Sequence, residues 1–365
     1  MSALFLRLFA RFAGSLPARI VLTLLIATAA GALCQQLHSP LPWMLGPLLS
    51  SALLSMLGLP LASSQRLRNV GQWLIGTALG LYFTPAVAAQ TLKLAPWTLI
   101  GTAWALLMGQ LFYRWLRASQ PAGAVDADTA YFASVIGGAS EMANFAERHG
   151  ARVDLVAAAH SLRVLLVVVT LPFGYQFAHI HGQDASSTGL RADVDPAGLL
   201  LLGLATLAGV LLMRRLHQPN PWVLGSLAAA LGLSASGVAL SALPGGFTAA
   251  AQVAIGVSLG TRFTAKFVHT APRWLAAVAV GTLGMIVLSG TFAWCLAELA
   301  GLAPAAVLLG NSPGGITEMC ITAKVLQLGV PLVTAFHIVR YVIVLVLTGP
   351  IHRRWIAPAG QRQNP

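Results

Sequence analysis

The chain has 365 residues, of which 57% are hydrophobic and 9% are charged, and its mean hydropathy is +0.77. Soluble domains carry about 25% charged residues, so a chain this long and this apolar cannot cover its own surface with polar groups in water. Apolar runs of about 20 residues, enough to span a bilayer, recur from end to end. These runs are continuous rather than alternating, which excludes a membrane β-barrel and predicts an all-α polytopic membrane protein.

The net charge of +12 comes from lysines and arginines that form short clusters between the apolar runs. Such clusters orient membrane proteins, so we expect a lipid bilayer as partner and no direct contact with nucleic acid. Three cysteines, Cys34, Cys295 and Cys320, lie far apart and predict neither a disulfide framework nor a metal site. We therefore expect no cofactor and no bound metal. The run from about Ile20 predicts a retained first helix rather than a cleaved signal peptide.

Each half of the chain shows the same order of six apolar segments. They cover about residues 20–37, 41–59, 69–83, 95–115, 129–147 and 154–178 in the first half, and 197–213, 221–242, 247–263, 274–297, 303–322 and 330–350 in the second. The fifth segment is broken in the middle, by Gly137 and Gly138 in one half and by Pro313, Gly314 and Gly315 in the other. We predict one integrated membrane domain made of repeat 1 (1–178), an acidic external linker (179–196) and repeat 2 (197–365).

Three motifs recur in the same order, which indicates that the two halves are copies of one unit. PWMLG at Pro42 returns as PWVLG at Pro221, and QWLIGTALGLYFT at Gln72 returns as QVAIGVSLGTRFT at Gln252. The third pair, GGASEM and GGITEM, is followed in both copies by His-x-x-Arg at the same distance. The offsets of 179, 180 and 177 residues point to a duplication with small insertions and deletions.

The distribution of basic residues decides the orientation of the two repeats. If the broken segment does not cross the membrane, 17 of the 22 lysines and arginines lie inside and three outside, with Arg163 and Arg340 in the membrane. If it crosses, the split is 11 to 9. The positive-inside rule therefore favours two inverted repeats of about five transmembrane helices each, with both termini cytoplasmic. The broken segment is either a re-entrant hairpin or an unwound helix.

Inverted repeats with interrupted helices are the usual construction of secondary transporters, whose sites lie near the midplane at the repeat interface. Irregular backbone at membrane depth must line a cavity or be buried in protein, because its N–H and C=O groups have no partner in lipid. The glycine breaks are therefore the best pointers to a site in this sequence.

The duplicated Gly-Gly-x-(Ser/Thr)-Glu-Met … His-x-x-Arg pattern, with PW(M/V)LG ahead of it, resembles the AbrB-type integral membrane protein family of bacteria. The resemblance covers roughly residues 20 to 352 and includes both copies of the pattern. It implies a polytopic fold in the bacterial inner membrane. Family members carry labels such as ammonia monooxygenase and regulator of gene expression, and some are classed as transporters.

Two carboxylates, Glu141 and Glu318, stand in apolar segments directly after the glycine breaks. A charge at the bilayer centre costs about 2.5–3.5 kcal/mol on insertion scales, so such residues are functional hypotheses by default. They would carry a proton or cation, or accept a substrate group. Alternatively, they form structural ion pairs or complement the dipole of a half-helix.

The next span in each repeat carries a histidine and an arginine three residues apart, His160 with Arg163 and His337 with Arg340. This spacing places each pair on one helix face. Each arginine is expected to pair with the glutamate of its own repeat, or the two arginines bind an anionic substrate. The histidines are proton-relay candidates, with hydrogen-bonded packing as the alternative.

Polar side chains on both sides of the breaks suit capping of the second half-helix. Ser140 and Thr317 supply hydroxyls, and Asn311 with Ser312 precedes the second break. A capped, glycine-opened helix N-terminus also favours anions.

The function favoured by these observations is secondary transport of a small polar or anionic solute, coupled to protons or sodium through Glu141 and Glu318. A membrane protein that regulates gene expression indirectly is the alternative, and a homo-oligomer is compatible with both. A copper monooxygenase is not favoured, because its histidine, cysteine or methionine ligands would have to cluster, and His179 and His181 lie unrepeated in the linker. We expect no enzymatic activity.

Overall fold

The computed structural model describes residues 15–182, 193–265 and 271–356, and in these ranges the chain forms helices and no β-strand. In repeat 1 the helices are α1 (Leu16–Gln36), α2 (Pro42–Met56), α3 (Gln65–Gly80), α4 (Pro85–Lys93), α5 (Ala95–Ser119), α6 (Ala127–Ser134), α7 (Ala139–Arg148) and α8 (Val153–Phe177). In repeat 2 they are α9 (Pro196–Arg215), α10 (Pro221–Ala235), α11 (Gly245–Gly260), α12 (Pro272–Ala300), α13 (Pro304–Asn311), α14 (Ile316–Val325) and α15 (Val330–Ile351). A π-helical turn, His352–Ile356, ends the described chain.

Helix lengths and composition confirm the prediction of an all-α membrane protein. Among the described helices, five are long and apolar enough to cross a bilayer: α1, α8, α9, α12 and α15. A sixth crossing results if α4 and α5, which meet at 57°, form one bent span. The short helix α4 falls between the predicted third and fourth segments and is an addition to them.

The described helices pack into two compact units, and each unit takes helices from both repeats. Unit 1 comprises residues 1–89, 172–179 and 183–270, and unit 2 comprises 90–171, 180–182 and 271–365. Repeat boundaries in the sequence are therefore not packing boundaries in the fold. Most of the predicted acidic linker, residues 183–192, lies outside the described residues.

Unit 1 is built on close crossings between helices of different repeats, where glycines bring backbones together. A Cβ atom on Gly80 would meet Leu227 and Ala230 of α10, and one on Gly260 would meet Leu48 and Ser51 of α2. Such contacts show that the Gly-x-x-x-Gly spacings at Gly76–Gly80 and Gly256–Gly260 serve close helix packing.

The order of these contacts gives the relative direction of the helices. Gly76 contacts Val223 while Gly80, one turn later, contacts Leu227, so α3 runs parallel to α10. In the same way the contacts of Gly256 and Gly260 with Met44 and Leu48, respectively, show that α11 runs parallel to α2.

Unit 2 contains the long helices α5 and α12, which occupy equivalent positions in the two repeats. The Trp115 indole near the end of α5 donates to the carbonyl oxygen of Ala277 near the start of α12, at 2.8 Å. Nearer the start of α5, the Trp104 ring stacks on Phe292 with centroids 4.3 Å apart. The two helices therefore run antiparallel.

A candidate substrate or ion site at two broken helices

The broken fifth segment of each repeat forms two short half-helices in unit 2. In repeat 1, α6 ends at Ser134 and α7 begins at Ala139, and in repeat 2, α13 ends at Asn311 and α14 begins at Ile316. Glycine and proline interrupt the helix because one lacks a restricting side chain and the other lacks an N–H donor. Both predicted breaks are confirmed.

The half-helices of repeat 1 lie side by side as a hairpin rather than end to end. Rings of Phe132 in α6 and Phe145 in α7 stack with centroids 6.1 Å apart. The backbone N–H of Arg152, at the start of α8, donates to Thr129 Oγ1 near the start of α6, at 2.8 Å. The chain thus returns to the end at which the segment began. In repeat 1 the broken segment is therefore a hairpin rather than an unwound helix that continues in one direction.

In repeat 1 a histidine and an arginine of α8 clamp the end of α6. His160 Nε2 lies 2.9 Å from the Phe132 carbonyl oxygen, and Arg163 Nη1 donates to the Val135 carbonyl oxygen at 3.1 Å. The second terminal nitrogen of Arg163 lies 2.9 Å from His160 Nδ1. Arg163 thus binds the break itself, and His160 binds the preceding helical turn.

In repeat 2 the same atoms make the same contacts 177 positions later. His337 Nε2 lies 3.0 Å from the Leu309 carbonyl oxygen, and Arg340 Nη1 donates to the Ser312 carbonyl oxygen at 2.6 Å. Arg340 Nη2 donates to the Gly314 carbonyl oxygen at 3.0 Å and lies 2.7 Å from His337 Nδ1. We refer to the two arrangements together as the His–Arg clamps.

The network of the clamps assigns the imidazole tautomer. An arginine only donates, so each Nδ1 accepts, and each Nε2 must carry the hydrogen that reaches the carbonyl. The clamp satisfies carbonyls that a helix C-terminus leaves without partners, and it places positive charge at the negative end of the half-helix dipole. Both ring nitrogens are occupied, so in this arrangement the histidines act as capping residues.

Pairing of each arginine with the glutamate of its own repeat, as expected from the sequence, is wrong. Arg163 and Arg340 are 2% and 5% exposed, and their partners among the described residues are carbonyl oxygens and histidines. The free carbonyl oxygens at the end of a helix are also good acceptors for a guanidinium. Here they lie within hydrogen-bonding distance of the arginines.

The glutamates fold back over the glycines at the start of the second half-helices. Gly138 and Gly315 are the N-cap residues of α7 and α14, so Glu141 and Glu318 occupy the third helical position. A Cβ on either glycine would overlap the Oε2 atom of the following glutamate. Each carboxylate therefore lies in the space that a side chain at the cap position would fill, which leaves room there only for glycine. Glu318 is buried, and Glu141 is partly exposed.

Capping of the second half-helix by hydroxyls, as expected from the sequence, is also wrong. The glycine caps make no side-chain cap hydrogen bond, and Ser140 and Thr317 follow them inside the helix. Asn311 belongs to the end of α13, where its Nδ2 donates to the Val307 carbonyl oxygen at 3.0 Å. Ser312 likewise donates back to Leu309, at 2.8 Å.

Each break lies against a helix of the other repeat. A Cβ on Gly137 would approach Val344 of α15 to 3.4 Å, and one on Gly314 would approach Val167 of α8 to 3.0 Å. Tyr341 of α15 also faces the first hairpin, with its hydroxyl near the Glu141 carboxylate but not in hydrogen-bonding geometry. Comparison of the repeats could not find Tyr341, because the equivalent residue in repeat 1 is Val164.

We expect replacement of Gly315 by alanine to displace the Glu318 carboxylate from the start of α14. The added methyl would occupy the volume of Oε2, and the carboxylate can rotate away whereas the backbone cannot. A structure of the variant would show the new rotamer. Gly290→Ala, where a Cβ meets nothing within 4 Å, is the control. An unmoved Glu318 in G315A would contradict the account of the cap.

Comparisons with known proteins agree with the repeated pattern. Residues 43–356 match the family model described as "Transition state regulatory protein AbrB". The "Uncharacterized protein YhjN" of Bacillus subtilis is 24% identical over 359 residues, covering 90% of this chain and 91% of that protein. The "Putative regulator AbrB" of Escherichia coli is 25% identical over 332 residues, covering 90% and 93%. Because the family model covers most of the chain, including both glycine breaks and both His–Arg clamps, the chain belongs to the AbrB family.

Proposed function

We propose that this protein is a secondary transporter of a small polar or anionic solute, coupled to an ion through Glu141 and Glu318. It would lie in the bacterial inner membrane as two inverted repeats of about five crossings each, with both termini in the cytoplasm. The proposal includes no enzymatic step and no direct contact with nucleic acid.

Helix directions support the inversion. The equivalent helices α5 and α12 run antiparallel. In unit 1, α10 runs parallel to α3, and α3 follows its neighbour α2 through a short loop. In the proposed topology α2 and α3 are consecutive crossings in opposite directions, and α10 then opposes its equivalent α2. The cationic clusters of the sequence give the same answer.

The observation that carries the proposal is a doubled carboxylate on a broken helix that lies against the opposite repeat. Broken helices, open N-termini and ionisable groups at the repeat interface are the features by which secondary transporters hold solute and coupling ion. Half-helix N-termini also favour anionic groups. A carboxylate folded over such an N-terminus can move away when an anionic solute binds there. Binding of the solute would then change the position of the carboxylate that carries the coupling ion.

Transport by the purified protein tests the proposal. A thermal-shift screen of small carboxylates, amino acids, phosphate and sugars would select the solutes that stabilise the protein. Uptake of each selected solute into proteoliposomes would then be measured under imposed proton and sodium gradients. We expect uptake that follows one of the gradients, and we expect Glu141→Gln with Glu318→Gln to abolish the dependence on that gradient.

Glu147→Gln is the matched control, because Glu147 is exposed on the same half-helix as Glu141. Its uptake should equal that of the unaltered protein. Gradient-driven uptake that survives the double substitution would remove the coupling role of the two glutamates. Absence of uptake for every stabilising solute would remove the transporter itself.

A regulatory role is the second candidate, favoured by the name of the Escherichia coli relative. Such an effect would be indirect, through the solute moved or through a signalling protein at the membrane. Loss of the regulatory effect in the glutamate double variant would assign it to transport. A signalling protein that copurifies with a chain inactive in transport would favour the second candidate.

A further inference from the structure

One cluster of ionisable side chains in unit 2 lies at the open end of the first hairpin. His352, which follows α15 and is 1% exposed, places Nε2 2.8 Å from Asp128 Oδ1 at the start of α6. The ring of His149, after α7, lies 4.5 Å from the His352 ring. The buried Nδ1 of His352 has no hydrogen-bond partner among the described residues.

Duplication of the fold shows that this cluster is not needed to build a hairpin. The His–Arg clamps, which hold the hairpins, occur in both repeats. The positions equivalent to Asp128, His149 and His352 at the offset of 177 are Ala305, Leu326 and Tyr175. A feature present in one copy only is a candidate for function, because the other copy folds in the same way without it.

A small cavity of about 30 Å³ adjoins the cluster and reaches the first break. Its polar lining includes Gln110, Tyr131, Ser134 and Thr348, and Val135 at the break also lines it. Tyr131 connects the two features, because its hydroxyl donates to the Thr348 carbonyl oxygen at 3.0 Å and its ring lies 5.5 Å from that of His352. A cavity of this volume with polar lining has room for one water molecule.

Residues of α15 connect this cavity to the surroundings of Glu141. Val344 lines the cavity and also contacts Gly137, and Tyr341 lies one helical turn earlier. The Tyr341 hydroxyl is buried without a partner and lies near the Glu141 carboxylate. The cavity is lined by Ile351, the chain neighbour of His352, and by Val344, one helical turn from Tyr341, so it lies along α15 between these two residues.

We propose that Asp128 and His352 form a proton-loading site, and that protons pass between it and Glu141 through water in this cavity. In one passage the partly exposed Asp128 takes a proton from solvent and gives it to His352 Nε2, His352 gives its Nδ1 proton to the water and stays neutral, and the water gives a proton to the Glu141 carboxylate. Only N–H and O–H bonds form and break. The inference rests on the proposed function, and it makes the proton the coupling ion.

The charges around the loading site favour this use. Asp128 and Tyr131 face His352 from α6, His149 faces it from α7, and Tyr113 of α5 lies behind Tyr131 with ring centroids 6.3 Å apart. The following π-helical turn carries Arg353 and Arg354, which are exposed. One carboxylate therefore lies against His352, and Asp128 itself is partly exposed to solvent.

Charge displacement on a pH jump tests the site without any solute. Proteoliposomes of the full chain on a solid-supported membrane would receive a pH jump, and the transient current would be integrated. We expect a clear transient in the unaltered protein and none on a sodium jump at constant pH. Asp128→Asn and His352→Gln should each reduce the displaced charge at least fivefold, and Glu141→Gln should remove most of it.

Asp154→Asn is the matched control. It makes the same chemical change at the start of the neighbouring α8, where the Asp154 side chain is 58% exposed and pairs with Arg152 at 2.8 Å. We expect this variant to keep the full displaced charge. Size-exclusion profiles would verify that each variant folds, and Tyr341→Phe, which removes only a hydroxyl, would replace any variant that does not.

Full displaced charge in folded D128N and H352Q would overturn the loading site, as would a sodium transient without a pH transient. The two proposals fail separately. A normal pH transient with no solute uptake would remove the transporter and keep the proton route. Solute uptake driven by sodium, without a pH transient, would keep the transporter and remove the proton route.

Discussion

Replacing Arg340 with methionine is expected to lower the free energy of unfolding by about 3–5 kcal/mol. The side chain is buried and donates to the carbonyl oxygens of Ser312 and Gly314 and to His337. Methionine keeps much of the volume but leaves these acceptors without a donor, at a cost of about 1–3 kcal/mol for each unsatisfied group. Denaturant titration of the purified protein in detergent would measure the loss.

Arg353→Met is the control for this substitution, because Arg353 is exposed just beyond the same helix. Its free energy of unfolding should stay within about 0.5 kcal/mol of the unaltered protein. Arg340→Lys should fall between, since one ammonium cannot reach both carbonyls in the geometry of a planar guanidinium. Equal stability of R340M and the unaltered protein would show that the clamp does not hold the break.

Replacing Gly225 with alanine is expected to cost about 1–3 kcal/mol, because the helices there cannot separate without losing their packing. A Cβ on Gly225 in α10 would lie 2.6 Å from the carbonyl oxygen of Gly209 and 2.7 Å from Val210 Cα in α9. These are backbone atoms, which cannot rotate away as a side-chain tip can. The thermal midpoint of the purified protein would report the loss.

Gly232→Ala lies in the same helix and provides the matched control. A Cβ there meets nothing within 4 Å. Alanine should stabilise this position by about 0.5–1 kcal/mol, because it restricts the unfolded chain more than glycine does. A loss of equal size at both positions would indicate a general effect of alanine in α10 and would contradict the role of close contact at Gly225.

Particular residues show how far the sequence reached into the site. Gly137, Gly138, Pro313, Gly314 and Gly315 were identified as breaks, and the half-helices end and begin around them. The partners of the arginines were not predictable. An arginine in an apolar span must find an acceptor, but its position in the sequence does not say whether a carboxylate or the carbonyls of a broken helix lie closer.

The sequence analysis also missed residues that occur in one repeat only. Tyr341, Asp128 and His352 each have a different residue type at the equivalent position of the other copy, so a search for repeated features passes over them. These residues become neighbours only in the folded chain. Asp128 and His352, for example, are 224 residues apart in the sequence. A comparison of the two halves of the sequence identifies only side chains that recur at a fixed offset.

The sequence by itself determined the environment, the duplication and the places where helices break, because hydropathy, repeat offset and backbone permissiveness are local properties. The tertiary structure alone decided that the broken segment of repeat 1 is a hairpin, that the carbonyls at both breaks accept hydrogen bonds from the arginines, and that each break lies against a helix of the other repeat. Those outcomes depend on which groups come within hydrogen-bonding distance once the helices pack. A buried donor binds the nearest available acceptor, and nearness is a property of the folded chain.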